Sequence, residues 1–163
     1  MLLCVLLEST GLLGRPWEYF NPGAAVSRGL TDYPTDAESQ LGEVTRLGTT
    51  PNGVYGLKLF ASHFDAIRAT RWAERLPGLA FIHLTRLDAL GQAISSVRAR
   101  QTEQWVAKMP AKGEPAYDFQ AINNELIRLL RAQTRWAYWL ARNGLPTLHV
   151  TYEQLVQAPQ AVA

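Results

Sequence analysis

The sequence predicts an α/β fold in which a parallel sheet is flanked by helices on both faces. Short apolar runs bounded by turn residues predict strands at Val54–Phe60, Leu79–Leu84 and Thr147–Val150. Helical patterns separate these runs, and strands that alternate with helices indicate parallel pairing. The chain has 163 residues, 47% of them apolar and 18% charged, which favours one globular domain over residues 1–163.

Two helices are predicted before the central strand. Residues 2–10 are apolar nearly all round a helix, and Gly11 ends it. Residues 64–76 follow a start signal at Ser62 and stop at Pro77. His63 is interpreted as a local cap or surface residue, because no second histidine stands at metal-ligand spacing.

Two aspartates open the helices of the second half. Asp88 is predicted to cap a helix that follows the strand Leu79–Leu84, and Asp118 a long helix that ends at Asn143-Gly144. A further turn of helix is expected at Tyr152–Leu155, after the last strand.

Residues 24–50 are polar and glycine-rich, with only a faint helical pattern near Glu38–Leu47. Loops of this length are uncommon and are often functional. We therefore expect a variable lid or acceptor region here, with Arg28 and Asp32 as polar candidates for contact with an acceptor.

Composition and charge exclude several classes of protein. A net charge of +2 gives no basic field for nucleic acid. The single cysteine, Cys4, excludes an internal disulfide framework and a multi-cysteine zinc site, so a cytoplasmic location is the default. No apolar run has the length of a membrane span.

Glu18 stands between Pro16-Trp17 and Tyr19-Phe20 in a turn-rich segment. It is either a surface acid in an aromatic loop or a general base whose pKa a partly apolar pocket raises toward the working range.

Arg86 is predicted at the carboxyl end of a strand, where ligands of open α/β sheets bind. The following helix N-terminus would add partial positive charge for an anion, and Ser95 and Ser96 lie about two turns into that helix. Alternatively, Arg86 caps a solvent-facing loop, and the two serines pack against neighbouring residues or hydrogen-bond to the backbone. Lys58 either reaches an anion at a strand end or passes the sheet edge.

Five segments carry a family resemblance, in this order: GLLGRPWEYF, NGVYGLKLF, FIHLTRLDALGQAISSVRARQTEQW, Tyr117-Asp118-Phe119 and HVTYEQL. Together they resemble the trehalose 2-sulfotransferase family, a bacterial group that includes lipopolysaccharide and nodulation-type carbohydrate sulfotransferases. The resemblance implies a P-loop-like sheet and sulfuryl transfer from 3′-phosphoadenosine-5′-phosphosulfate (PAPS) to a carbohydrate or glycolipid hydroxyl. It implies no metal, and a homodimer by analogy.

The resemblance also implies roles for particular residues. Glu18 matches the general base, and Arg86 with one serine of the pair matches the 3′-phosphate site. The usual arginine-to-serine spacing is eight and Arg86 to Ser95 is nine, so the choice between Ser95 and Ser96 stays open. The remaining matched residues fall into two groups: Lys58 and Arg98 beside the cofactor, and Trp17, Tyr19 and Trp105 beside the acceptor.

Family members begin with a strand and a phosphosulfate loop, and Met1 stands where that loop would end. The chain is therefore expected to be truncated at both ends. One alternative is an inactive remnant that binds 3′-phosphoadenosine nucleotides or a partner. The hypothesis of a kinase-like phosphotransferase has less support than the other two, because the sequence lacks the Gly-rich Lys-Ser/Thr loop and the magnesium-binding aspartate of such enzymes.

Overall fold

The computed structural model describes residues 2–105 and 109–159. The chain divides into two compact units. The described part of the first, here the N-terminal unit, is residues 2–80 with 154–159, and the second, the sheet unit, is residues 81–153.

The N-terminal unit is built from short helices: α1 (Leu2–Ser9), α2 (Pro22–Ser27), α3 (Ala37–Gly48), α4 (Phe64–Ile67) and α5 (Trp72–Arg75). The predicted helix at 2–10 is confirmed as α1. The fully buried side chains of this unit include Tyr19, Val44 and Ile67. Their burial removes apolar surface from water and holds the short helices together.

The predicted strand at Val54–Phe60 is wrong. The segment is extended, but its backbone N–H groups bond outside any strand: Gly56 N–H donates to Gly48 O, at the end of α3, at 3.1 Å, and Lys58 N–H donates to Trp17 O at 2.9 Å. An apolar run satisfies its backbone groups with whatever lies beside it, and here the partners are a carbonyl at a helix end and a loop carbonyl rather than a strand.

Gly56 explains how this segment approaches the loop before Glu18. A Cβ at Gly56 would lie 2.8 Å from the backbone nitrogen of Pro16, too close for any other residue. Gly14, with a φ of 74°, faces the same contact from the other side. The absence of a side chain at Gly56 therefore permits this close backbone approach.

The predicted helix at 64–76 is broken into α4, the 3₁₀ turn Arg68–Thr70 and α5, and another 3₁₀ turn, Ala61–His63, precedes α4. Thr70 Oγ1 donates to Ile67 O at 2.7 Å, and Arg71 adopts a left-handed φ of 52°. Local bonding of a threonine to the backbone competes with helix continuation, and this competition is consistent with the break.

The region 24–50 contains more structure than the sequence predicted. Asp36 caps α3 by accepting a hydrogen bond from Ser39 N–H at 2.8 Å, and α3 buries Gln40, Leu41 and Val44. The faint helical pattern near Glu38–Leu47 is thus a real helix packed on the core, and a role of the region as a lid stays a prediction.

The sheet unit contains a two-stranded parallel sheet among the residues 81–105 and 109–153. Strand β1 (Phe81–Thr85) pairs with β2 (Thr147–Thr151), with His83 opposite His149. Helix α6 (Ala89–Thr102) packs against α7 (Phe119–Arg142), and both lie between the strands in the chain. These findings confirm an α/β class with parallel pairing and two of the three predicted strands.

Both predicted caps of the sheet unit are confirmed. Asp88 Oδ1 accepts from Gly91 N–H at 2.8 Å, and Asp118 Oδ1 accepts from Ala121 N–H at 2.9 Å. The predicted helical turn after the last strand is α8 (Tyr152–Gln157), which carries the fully buried Leu155. None of the helices within 2–105 and 109–159 combines the length and apolarity that crossing a bilayer requires.

Candidate active site

The Glu18 carboxylate is held on both of its oxygens. Lys58 Nζ donates to Oε1 at 2.7 Å, and Asn21 Nδ2 donates to Oε2 at 2.9 Å. The side chains of Glu18 and Lys58 are largely buried, with 18% and 22% of their surface exposed. Charge-assisted hydrogen bonds in such a setting fix the orientation of the carboxylate as well as its charge.

Backbone contacts explain why these three side chains meet. Lys58 N–H bonds to the carbonyl of Trp17, the residue before Glu18, so the lysine lies beside the acid. Asn21 caps α2: its Oδ1 accepts from Ala24 N–H at 3.2 Å, which leaves its amide NH₂ for Glu18. The sequence analysis missed Asn21, although an asparagine before Pro22 is a recognisable helix start.

The pKa of Glu18 is lowered, and the predicted raised pKa is wrong for this structure. Burial acts to raise it, as the sequence analysis expected. The hydrogen bonds from Lys58 and Asn21, together with the Lys58 charge, outweigh that burial and hold the pKa below its usual 4.5. The carboxylate is therefore ionised at neutral pH.

Trp17 and Tyr19, both predicted to contact the acceptor, are core residues. Their rings pack edge to face with centroids 5.0 Å apart, and the tyrosine hydroxyl donates to Arg15 O at 2.9 Å. The guanidinium of Arg28 also lies over the Trp17 ring, 4.8 Å from its centroid. Their role in acceptor binding stays a prediction.

His63 belongs to the surroundings of the Glu18–Lys58 pair. Its Nδ1 accepts from Phe60 N–H at 3.4 Å, which confirms the predicted local capping role. The Phe60 ring lies 4.3 Å from Lys58 Nζ and 5.6 Å, centroid to centroid, from the imidazole. Burial lowers the pKa of His63, while the Glu18 charge acts against that change.

Arg86 directly follows β1, as predicted. Its guanidinium lies over the Tyr152 ring at 4.7 Å, and its nitrogens are 3.9 Å from an Asp88 oxygen and 4.0 Å from a Glu153 oxygen. The Nε atom is buried and makes no hydrogen bond to any residue within 2–105 and 109–159. A buried donor in this state is suited to an anionic ligand, because such donors are rarely left without a partner.

Glu153 occupies the position that the sequence analysis gave to an anion at the start of α6. Its carboxylate accepts from Leu87 N–H at 3.1 Å and from Asp88 N–H at 3.4 Å. The Asp88 side chain accepts a hydrogen bond from the amide of Gly91. The expected contribution of the helix N-terminus to anion binding is thus reduced, since the protein's own carboxylates use those amides.

Ser96 faces α7 and is part of a buried network. Its Oγ donates to Glu125 Oε1 at 2.7 Å, and Glu125 also pairs with Arg100 at 2.6 Å and Arg128 at 2.7 Å. Glu125 is only 2% exposed, which makes it a charged residue in the α6–α7 contact that the sequence analysis missed.

Ser95, Arg98 and Trp105 line one open cavity of about 340 Å³ on the other side of α6, together with Ile94 and Gln104. The structure therefore brings three of the predicted site residues together. Arg86 is not among the residues that line this cavity.

Comparison with known proteins identifies the family. The model of the family described as Stf0 sulphotransferase matches residues 1–163. A trehalose 2-sulfotransferase of Mycobacterium tuberculosis is 27% identical in an alignment 201 residues long, gaps included. The alignment covers 94% of this chain and 73% of the relative. A trehalose 2-sulfotransferase of Mycolicibacterium smegmatis is 27% identical over 199 residues, with the same shares covered.

A match along the whole chain confirms the resemblance that its motifs predicted. The chain belongs to the Stf0 sulphotransferase family.

Proposed function

We propose that this protein transfers a sulfuryl group from PAPS to a carbohydrate hydroxyl, with a trehalose-like disaccharide or a glycolipid as acceptor. The family supports the reaction class, and the names of the two mycobacterial relatives support the acceptor. The observation that carries the proposal is the Glu18 carboxylate, ionised and fixed by Lys58 and Asn21. The single cysteine favours the cytoplasm as the place of reaction.

Glu18 would act as the general base. The acceptor oxygen forms its bond to sulfur while the bond from sulfur to the donor's phosphate oxygen breaks. The acceptor proton passes to Glu18, and adenosine 3′,5′-bisphosphate departs. Like phosphoryl transfer, this reaction has a loose transition state, so the acceptor proton becomes acidic late and an ionised carboxylate of low pKa can take it.

Lys58 would serve two purposes in this reaction. Its ammonium keeps Glu18 ionised before the acceptor arrives. Once Glu18 has taken the proton, the ion pair weakens, and the ammonium offers its positive charge to oxygens around the transferred group.

The donor side is supported by Arg86 and the Ser95 cavity. We assign the donor's 3′-phosphate to the guanidinium, whose Nε lacks a hydrogen bond within the described part of the chain. Ser95, which lines a cavity that does not include Arg86, is the serine that we expect to assist it. Ser96 is a weaker candidate because Glu125 already holds it. Arg98 and Trp105 in the same cavity offer a cation and an aromatic face for the rest of the nucleotide.

The direct test is a transfer assay with the purified chain, PAPS and trehalose, with the sulfated disaccharide detected by mass spectrometry. We expect product, and we expect Glu18→Gln to lower turnover by about 10²–10⁴-fold, because that is the usual contribution of a general base. Glu38→Gln, which removes a carboxylate from an exposed pair with Arg75, is the matched control. Unchanged turnover in Glu18→Gln would remove the base assignment.

Donor binding is tested separately by calorimetry with adenosine 3′,5′-bisphosphate and adenosine 5′-phosphate. Arg86→Lys should weaken only the first, by about tenfold or more, because a charge-assisted bond contributes about 1.5–3 kcal/mol. Equal weakening for both nucleotides would contradict the 3′-phosphate role. Binding of the bisphosphate with no transfer in the first assay would favour the inactive nucleotide-binding remnant instead.

A further inference from the structure

A second cavity, of about 270 Å³, lies within the N-terminal unit between residues 29–34 and helix α3. Its polar walls are Asp32, Glu43 and Arg46, and its less polar walls include Leu30 and Tyr33. Asp32 is one of the two polar residues that the sequence offers for contact with an acceptor, and here it lines a cavity.

The loop that lines this cavity is fixed at both ends. After α2, Gly29 takes a φ of 81°, and Leu30 N–H donates to Ala25 O at 3.1 Å. At the other end the carbonyl of Pro34 accepts from the buried Gln40 side chain at 2.9 Å. A wall held in this way loses little conformational entropy when a ligand binds.

Tyr33 connects the cavity to the segment of the proposed base. Its hydroxyl donates to Tyr19 O at 2.7 Å, and its ring packs edge to face on Trp17 with centroids 5.8 Å apart. Trp17 immediately precedes Glu18 in the chain. One wall of the cavity therefore touches the residues on both sides of the carboxylate.

The charges of the cavity are unequal. Arg46 donates to both oxygens of Glu43, with its Nε at 2.9 Å and 3.0 Å from them, so these two charges largely cancel. Nothing within 2–105 and 109–159 hydrogen-bonds the Asp32 carboxylate. Among the residues that line the cavity, one negative charge remains, which favours hydroxyl groups as donors and disfavours an anion.

We infer that this cavity binds a sugar ring of the acceptor and that Asp32 and Glu43 exclude rings that already carry sulfate or phosphate. The inference rests on the proposed function and adds to it a rule of selectivity. A neutral ring can donate hydroxyl protons to the carboxylates, accept from Arg46 and lie against Tyr33. A sulfated product could not return in the same orientation, so each ring would be modified once.

The test measures binding without the donor. Calorimetry at low ionic strength compares trehalose with trehalose 6-phosphate on the native chain and on Asp32→Asn, Glu43→Gln and the control Glu38→Gln. We expect the native chain to bind the phosphate more weakly by about tenfold or more. Asp32→Asn should reduce this ratio at least threefold, and Glu43→Gln should reduce it further because it also frees Arg46. Glu38→Gln should leave the ratio unchanged.

Two results would overturn the inference: no binding of trehalose to the native chain, or the same ratio in all four proteins whose circular dichroism shows them folded. The outcome is separable from that of the transfer assay. Charge-dependent sugar binding with no sulfuryl transfer would reject the proposed function alone. If the chain transfers sulfuryl groups to trehalose but the ratio of its affinities for the two sugars is the same in Asp32→Asn and Glu43→Gln as in the native chain, this inference alone would be rejected. Raising the salt concentration should lessen the discrimination, because the Asp32 carboxylate is exposed to water.

Discussion

The ammonium of Lys58 lies 2.7 Å from the Glu18 carboxylate, and the two residues are 40 positions apart in the chain. Both side chains are more than three-quarters buried, so this pair differs from the exposed pairs of the N-terminal unit, such as Arg75 with Glu38. The lysine lowers the pKa of the acid, whereas burial alone would raise it.

Lys58→Met should therefore raise the pKa of Glu18. Methionine keeps the approximate length of the side chain and removes the ammonium, so burial would act on the carboxylate with only Asn21 and the weaker influence of His63 opposing it. Carbon-detected NMR titration of the glutamate side chains measures this pKa directly. In the control Arg75→Met, which breaks the exposed pair with Glu38, the Glu18 titration should not move. A Glu18 pKa that stays below 4.5 in Lys58→Met would show that other groups hold it down.

Adjacent serines on α6 should give opposite phenotypes. Consecutive helical residues point about 100° apart, so Ser95 lines the cavity while Ser96 bonds to Glu125. Ser96→Ala should lower the free energy of unfolding by about 1–3 kcal/mol, because it removes a hydrogen bond to a buried charge. Ser95→Ala should leave stability within about 0.5 kcal/mol, as surface substitutions do, and weaken binding of adenosine 3′,5′-bisphosphate.

Chemical denaturation of the two variants measures their stability, and calorimetry measures their binding of adenosine 3′,5′-bisphosphate. Each serine serves as the control for the other. Weakened nucleotide binding in Ser96→Ala at unchanged stability would reverse the assignment, and so would a large loss of stability in Ser95→Ala.

Glu125 should make the protein sensitive to acid. The hydrogen bond from Arg128 has the largest effect on the pKa of its carboxyl and lowers it. Burial raises that pKa, and the hydrogen bonds from Ser96 and Arg100 lower it further. Together they bring the pKa from 4.5 to about 2. A pKa depressed in the folded state stabilises the fold above the unfolded value, and this stabilisation is lost as the pH falls from about 4.5 toward about 2. The loss is at most about 3 kcal/mol, and less because Arg100 and Arg128 are half exposed to water.

Urea denaturation between pH 6 and pH 2.5 measures this loss. The variant Glu125→Gln should be less stable at neutral pH, because it leaves two guanidinium groups without their carboxylate. Its stability should then fall less steeply than that of the native chain as the pH is lowered. If both proteins lose stability along parallel curves, other carboxylates account for the acid sensitivity.

Local signals in the sequence were sufficient for some of these features. Asp88 and Asp118 bond to amides three residues away, so the chain on either side of each aspartate already contains the information. The strands β1 and β2 were found for the same reason, since each is a short apolar run between turn residues.

Features that depend on distant partners could not be predicted in the same way. Val54–Phe60 has the composition of a strand, but its backbone partners in space are Gly48 at the end of α3 and Trp17, 41 positions before Lys58. The direction of the Glu18 pKa shift depends on Lys58, which no local pattern links to it. The choice between Ser95 and Ser96 depends on where Glu125 of α7 lies, and helix packing is not visible in a single sequence.

Gly56→Ala should be among the more damaging small substitutions in the N-terminal unit. The added Cβ would lie 2.8 Å from the nitrogen and 2.9 Å from the Cδ of Pro16, and neither backbone nor proline ring can move aside cheaply. We expect a loss of about 1–3 kcal/mol in the free energy of unfolding. Because Lys58 follows two residues later and pairs with Glu18, sulfuryl transfer should fall as well.

Gly42→Ala is the matched control for that substitution. Gly42 lies inside α3, and its Cβ would meet no atom within 4 Å outside its own neighbourhood. Alanine favours a helix interior over glycine by up to about 1 kcal/mol, so this variant should be more stable than the native chain. Urea denaturation of both variants separates the two effects of the same added methyl group. Equal stability of the two variants would mean that Gly56 is free to shift away from Pro16 and that the close approach does not constrain the Glu18 segment.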